Sequence, residues 1–195
     1  MHVLIVYCHP SSDSFTCRVK ESFIEGLKAA GHTFEISDLY AMGFDPVMKE
    51  AEYLREAYYR ADPPVPAEVR AEQEKIDRCD ALVFIYPDFW TASPALLEGW
   101  FQRVLTYGYA YGPEPSIRPP EKALFLVTMG GCLAEELRRT QLEAMKTVML
   151  GDRISWRAKR CELYAFDEMS REKAELREQK AAVFLKKAYR LGAEL

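Results

Sequence analysis

The sequence predicts an α/β protein built on a doubly wound sheet of five parallel strands in the order 2-1-3-4-5, with helices on both faces. Two observations lead there. Val3 to Tyr7, Ala81 to Tyr86 and Leu124 to Thr128 are short apolar runs without polar alternation, as expected of strands buried on both faces. Segments with apolar residues at helical spacing lie between these runs, and strands that alternate with helices form parallel sheets through right-handed crossovers.

Taken in order, Val3-Leu4-Ile5-Val6-Tyr7 is the first strand. From Ser14 to Ala30, Phe15, Val19, Phe23, Ile24 and Leu27 mark one helical face, and Gly31 supplies the stop. Phe34-Glu35-Ile36 is a short second strand, and Ala81 to Tyr86 is the third. Ser93-Pro94 should open the next helix, as N-cap and first helical residue, with Leu96, Leu97, Trp100, Phe101, Val104 and Leu105 on its apolar face. Leu124 to Thr128 is the fourth strand, followed by a helix from about Glu135 to Met149 and a weaker strand near Cys161 to Ala165. A charged amphipathic helix from Glu172 to Leu191 ends the order. Pro-rich loops cover Asp62 to Pro66 and Gly108 to Pro120.

Composition bounds the function. At 195 residues and 49% hydrophobic, the chain should form one domain spanning 1–195. Its net charge of −4, with scattered basic residues, argues against nucleic acid and against an anionic membrane surface. No apolar run approaches the ~20 residues of a membrane span, and no signal peptide is evident, so a cytoplasmic location is expected. The five cysteines are odd in number, widely spaced and lack C-x-x-C pairs, which speaks against zinc or a disulfide scaffold; no metal is expected.

In such a sheet the loops after strands one, three and four meet at one edge. The first, His9 to Thr16, offers backbone N–H groups at a helix start with hydroxyls and an imidazole, which suits a phosphate; simple helix capping explains it equally well. It lacks G-x-G-x-x-G and a P-loop lysine, so neither a dinucleotide Rossmann site nor an NTPase is indicated. The second, Pro87 to Pro94, carries Phe89-Trp90, which could support a flat heterocycle or plug the sheet end. In the third, Thr128-Met129-Gly130-Gly131, the glycines allow close approach of a planar ligand or form an ordinary turn.

These residues carry a resemblance. His9-Pro10…Ser14-Phe15, Ser37-Asp38-Leu39-Tyr40-Ala41-Met42, Ala71-Glu72-Gln73, Tyr86-Pro87…Trp90…Pro94 to Val104, Gly108-Tyr109-Ala110-Tyr111-Gly112 and Thr128-x-Gly130-Gly131 resemble the NAD(P)H:quinone oxidoreductase (DT-diaphorase-like) family of flavodoxin-like flavoproteins. That family includes bacterial ancillary subunits of potassium efflux systems. The likeness runs to about Gly131; beyond Cys132 it lies in element order.

The resemblance implies a flavin, FMN or alternatively FAD, with NAD(P)H as co-substrate. It puts the flavin phosphate on His9, Ser14, Phe15 and Thr16, and the ring against Asp88, Phe89, Trp90 and Thr91, with Thr128, Met129, Gly130 and Gly131 at its edge. Tyr109 and Tyr111 would border the acceptor pocket from the partner subunit of a homodimer. The implied activity is ping-pong transfer of two electrons to a quinone or a similar small acceptor. A regulatory subunit bound to a membrane transporter and a nitro- or azoreductase are the alternatives. Family members of the larger type place a Tyr and a His after T-x-G-G; here Cys132-Leu133-Ala134-Glu135-Glu136 follows, and the histidines are His2, His9 and His32 alone. Trp100, Phe101, Tyr107, Tyr109 and Tyr111 also offer aromatic surface for a dimer contact.

Overall fold

The computed structural model describes residues 1–195, the side chain of Lys173 excepted. Strands β1 (His2–Tyr7), β2 (Thr33–Asp38), β3 (Ala81–Pro87), β4 (Lys122–Thr128) and β5 (Cys161–Phe166) form one sheet in the order β2-β1-β3-β4-β5. All neighbours are parallel, and the register sets Tyr7 beside Ile85 and Pro87 beside Thr128. The carboxyl ends of β1, β3 and β4 therefore finish at a common edge.

Alternate residues of each strand feed two cores. Leu4, Val6, Phe84, Tyr86, Phe125 and Val127 face one side, while Val3, Ile5, Val83, Ile85, Leu124 and Leu126 face the other. Full burial of a large apolar side chain is worth roughly 1.5–3 kcal/mol. Every residue of β3 is buried, which explains a central strand without polar alternation.

Six helices cover these faces: α1 (Phe15–Ala29), α2 (Glu50–Ala57), α3 (Ala67–Arg78), α4 (Ala95–Val104), α5 (Glu136–Lys146) and α6 (Ala174–Ala193). Apolar periodicity did not reveal α2 and α3, and for α3 the reason is physical. Its inner face buries Glu72 and Gln73 beside Val69 and Ile76. The Glu72 carboxylate accepts from Ser37 Oγ at 3.0 Å, Trp100 Nε1 at 2.9 Å and Lys75 Nζ at 2.5 Å. Gln73 Nε2 donates to the Val104 carbonyl and to Thr106 Oγ1. Polar groups with partners thus occupy positions where a purely apolar stripe would be sought.

Other expectations shift. Pro94, not Ser93, is the N-cap of α4, and the Pro94 carbonyl accepts from Leu97 and Glu98; Ser93 Oγ donates to Glu98 Oε1 at 2.7 Å instead. Trp100 is wholly in the core and Phe101 nearly so, which leaves them almost no surface to offer a partner. The helix after β4 is regular only to Lys146 and continues as a π-helix over Thr147–Ile154, ending at Ser155 with φ +48°. Arg157 satisfies carbonyls there, donating to Asp152 O at 2.9 Å and to Ala110 O at 2.7 Å. The last helix begins at Ala174, after a short 3-10 turn over Arg171–Lys173.

On the second face, α1 and α6 touch backbone to backbone. A Cβ on Gly26 would lie 2.0 Å from the Tyr189 carbonyl oxygen, and one on Gly192 would lie 2.2 Å from the Phe23 carbonyl oxygen. Gly26→Ala would gain ~1 kcal/mol of helix propensity. Overpacking a fixed backbone contact costs ~1–3 kcal/mol or more. The expected outcome is a net loss of stability, seen as a lower urea midpoint at unchanged slope. A raised midpoint would mean that the two helices separate freely.

Candidate cofactor site

At the common edge the loops enclose a cavity of about 260 Å³. Its walls are His9, Ser14, Phe15 and Thr16 after β1, Pro87, Asp88 and Phe89 at the end of β3, and Thr128, Met129 and Gly130 after β4. Met169, Arg171 and Arg177 complete it from the segment after β5. Three loops singled out by their chemistry thus share one space, with Trp90, Thr91 and Gly131 directly adjoining it in sequence.

The first loop is held by its own side chains. Ser14 is the N-cap of α1, with Oγ accepting from the Cys17 N–H at 3.0 Å. Its hydroxyl proton remains available to a ligand, as do backbone N–H groups of the first helical turn. Thr16 and Thr128 hydroxyls lie 2.7 Å apart and tie the first and third loops together. His9 Nδ1 lies 2.9 Å from both the backbone nitrogen and the carbonyl oxygen of Ser11, so the Ser11 backbone holds the ring through that atom. Burial holds His9 below the usual histidine range; the Ser11 carbonyl opposes this and the Arg171 guanidinium adds to it.

The second loop is a tight reversal. Phe89 and Ala92 exchange backbone hydrogen bonds, Phe89 N–H to Ala92 O at 2.9 Å and Ala92 N–H to Phe89 O at 3.1 Å. Trp90 and Thr91 between them have φ of +55° and +66°, the pattern of a two-residue hairpin turn that usually carries Asn-Gly. Both residues are therefore strained, Thr91 more so as a β-branched residue. Trp90 is fully exposed and Phe89 is half-exposed, so packing within the chain does not account for either ring. Beneath them, Asp88 Oδ1 is buried without a hydrogen-bond partner. Burial pushes its carboxyl up, against the opposing effects of the Thr91 N–H and the Arg138 guanidinium.

The third loop passes close to α5: a Cβ on Gly131 would lie 2.8 Å from Arg138 Nε. Met169, Arg171 and Arg177 were not found from sequence, because S-R-E-K-A-E-L-R reads as the solvated start of a charged helix. The two tyrosines do not join this cavity. Tyr109 is buried within the chain, its hydroxyl 3.1 Å from Gln73 O and 3.0 Å from Asp77 Oδ1. Tyr111 donates to Glu56 Oε2 at 2.7 Å and lines a different cleft of about 300 Å³, with Phe101, Gln102 and Arg153.

Cys132, Asp167 and Glu168 bring three ligand atoms within 4.8 Å of one another, but Lys180 pairs with both carboxylates and supplies the cation there. All five cysteines are free; Cys8, Cys17 and Cys79 are buried.

Two outcomes follow from these strained and buried groups. Thr91→Gly should stabilise the ligand-free protein by about 1 kcal/mol through relief of the positive φ, read as a raised thermal midpoint; no change would mean that the turn is not strained. His9 should titrate below the ordinary histidine range. Its contribution to stability is then fully present above the unfolded value of about 6.5 and declines as pH falls toward the folded value. Nitrogen NMR should show this pKa rise when a phosphomonoester binds. A pKa unmoved by bound ligand would take His9 out of the anion site.

A model of the flavodoxin-like-fold family matches residues 1–184. NAD(P)H dehydrogenase [quinone] 1 of Cavia porcellus is 33% identical over 149 residues, covering 66% of this chain and 53% of that protein. The chain thus spans about half the length of the curated relatives it matches first. The solved NAD(P)H:quinone oxidoreductase from Methanothermobacter marburgensis is 41% identical, with a TM-score of 0.92 over 99% of this chain and 94% of that one. An FMN-dependent NADH-azoreductase from Bacillus anthracis in complex with FMN is 14% identical, with a TM-score of 0.72 over 98% of this chain and 100% of that one, and shares the fold alone. The chain belongs to the flavodoxin-like-fold family and, within it, to the homologues of NAD(P)H:quinone oxidoreductases.

Proposed function

We propose that this protein is a flavin-dependent NAD(P)H oxidoreductase that passes two electrons to a quinone or similar electron-poor small molecule. The observation that carries this reading is the cavity at the carboxyl edge, where the start of α1, a strained aromatic turn and the Thr128 to Gly131 backbone converge. The donor set fits FMN. Hydroxyls and N–H groups at the start of α1, His9 and two arginines suit a phosphate, and exposed rings on a rigid turn suit a planar heterocycle. When bound, the flavin supplies the redox chemistry, taking hydride from NAD(P)H and giving the electrons to the acceptor in a ping-pong sequence.

The residues would then divide the work. Ser14, Phe15, Thr16 and His9 hold the phosphate. Asp88 to Thr91 and Thr128 to Gly131 hold the ring and fix its angle to the incoming nicotinamide, and orientation of this kind lowers the barrier. The exposed Trp90 and Phe89 also leave an aromatic rim that one chain does not cover. A homodimer would cover it and would bring Tyr111 of a second copy toward the acceptor position; within one chain Tyr111 lies in another cleft.

The test is direct. The purified protein should be yellow or take up FMN at micromolar concentration, be reduced by NADH or NADPH, and sediment as a dimer. Trp90→Ala should slow flavin reduction in stopped flow by about tenfold or more at saturating flavin, through the lost wall. Failure of FMN and FAD alike to bind would remove the enzymatic reading. A monomer with full activity would remove the shared site alone.

A further inference from the structure

We propose that a second cavity, on the β2 side of the first loop, is a binding site for a ribonucleoside 5′-phosphate. It is separate from the flavin cavity, and its test needs no bound flavin.

The cavity measures about 340 Å³ and lies between the His9 to Ser12 turn, the first turns of α1 and the carboxyl end of β2. Small-ligand sites begin at about this size. His9 is common to both cavities, so the first loop is the wall between them. Tyr7 is 3% exposed, and its hydroxyl is buried without a hydrogen-bond partner. Ser14 and Cys17 lie beside this hydroxyl, but neither reaches hydrogen-bonding geometry. Burial pushes the phenol up, so the proton stays on its oxygen at neutral pH.

Lys20 Nζ sits 4.4 Å from the centre of the Tyr7 ring and forms no ion pair among the described residues. Nearby acids are engaged elsewhere. Glu21 takes the Cys17 thiol at 3.5 Å, and Asp38 Oδ1 takes the Ala41 N–H at 3.1 Å. Ser11 Oγ accepts from the Asp13 N–H at 3.2 Å, which leaves the Ser11 hydroxyl proton free.

Tyr7, Lys20 and Ser11 therefore offer protons on one cavity wall with no acceptor in the chain. A phosphate monoester brings three acceptor oxygens and a charge to match the ammonium. One of those oxygens would also recover the cost of the orphaned Tyr7 hydroxyl. A bare anion leaves the rest of the wall unmatched. Asp38 faces the same cavity without pairing with Lys20, so the ligand must carry donors as well, and ribose hydroxyls supply them. Tyr40 at the rim is 43% exposed, an aromatic face on which a base can stack. Phosphate, sugar and base each meet a group of fitting chemistry.

The experiment measures binding of 5′-AMP, adenosine and inorganic phosphate by titration calorimetry to the intact protein, Tyr7→Phe and Lys20→Met. The intact protein should bind 5′-AMP about tenfold or more tightly than either adenosine or phosphate, since only 5′-AMP reaches every part of the wall. Lys20→Met should weaken 5′-AMP by about tenfold or more and leave adenosine unchanged. Tyr7→Phe should weaken 5′-AMP about threefold or more, while its ligand-free thermal midpoint stays equal or rises, because an unsatisfied hydroxyl is gone. FMN should not displace 5′-AMP, and both variants should bind FMN as the intact protein does. Displacement of 5′-AMP by NAD⁺ would make the nucleotide half of the co-substrate the occupant; retention would make it a free mononucleotide, and either result keeps the site. A lowered midpoint in Tyr7→Phe would show that the hydroxyl is satisfied within the chain. Displacement by FMN would put 5′-AMP in the flavin cavity, and equal binding of 5′-AMP and phosphate, or no binding of 5′-AMP, would leave no nucleotide site. Each of these overturns the proposal without touching the flavin reading.

Discussion

Direct contact between α1 and α6, made possible by Gly26 and Gly192, decides where the chain after β5 can go. The backbones approach so closely that no side chain fits between them, which fixes the position of α6 along α1. Residues 169 to 177 immediately precede or open α6, so they are carried to the start of α1. The cavity wall is therefore assembled from elements more than 150 residues apart, as the link from Arg171 to Asp13, 158 residues away, makes plain. Loosening the helix contact would open one wall of the cavity without touching any residue in it.

The opposite face is organised by buried charge. Glu72 joins β2, α3 and α4, and Arg103 of α4 donates to Glu52 at 2.8 Å, Glu68 at 2.9 Å and the Asp45 carbonyl. Removing one partner of such a buried pair costs about 3–5 kcal/mol, yet an apolar replacement of the whole set is often neutral or better. Their value here is positional. They hold α4 at one angle under the sheet edge, and the strained Trp90-Thr91 turn immediately precedes that helix. A turn that unfavourable persists only when both of its ends are fixed: Asp88 N–H donates to Thr128 O on one side, and α4 anchors the other.

Much of this was legible in the chain. Continuous apolar runs gave the three inner strands to within two residues, since a strand buried on both faces has no polar residue to blur its ends. The apolar spacing from Phe15 to Leu27 and the Gly31 stop, with φ +73°, marked α1 by local chemistry, and the structure selects Ser14 as its cap. Helix α3 escaped because its inward face satisfies Glu72 and Gln73 with partners from other elements, which no local pattern records. The π-helix over Thr147–Ile154 escaped for a similar reason, its extra residue per turn being set by packing and by Arg157. In the site, residues adjoining strand ends were foreseen, because a parallel sheet fixes where those ends lie. Arg171 and Arg177 were not, since their role depends on a helix crossing. Tyr109 was read as a pocket residue from its motif, and the pattern does not show that its hydroxyl meets Asp77 and Gln73 within the chain.

The buried thiols have a consequence for chemical resistance. Cys8 directly precedes His9 of the cavity wall, and burial pushes the Cys8 and Cys79 thiols up to about 12. The thiolate, the form that attacks electrophiles, is thereby suppressed at neutral pH. Quinones are alkylating agents as well as electron acceptors. Under the proposed function the acceptors would meet this edge, where burial keeps the Cys8 thiol protonated and out of reach while the half-buried Cys132, directly after Gly131, is the thiol left open to arylation.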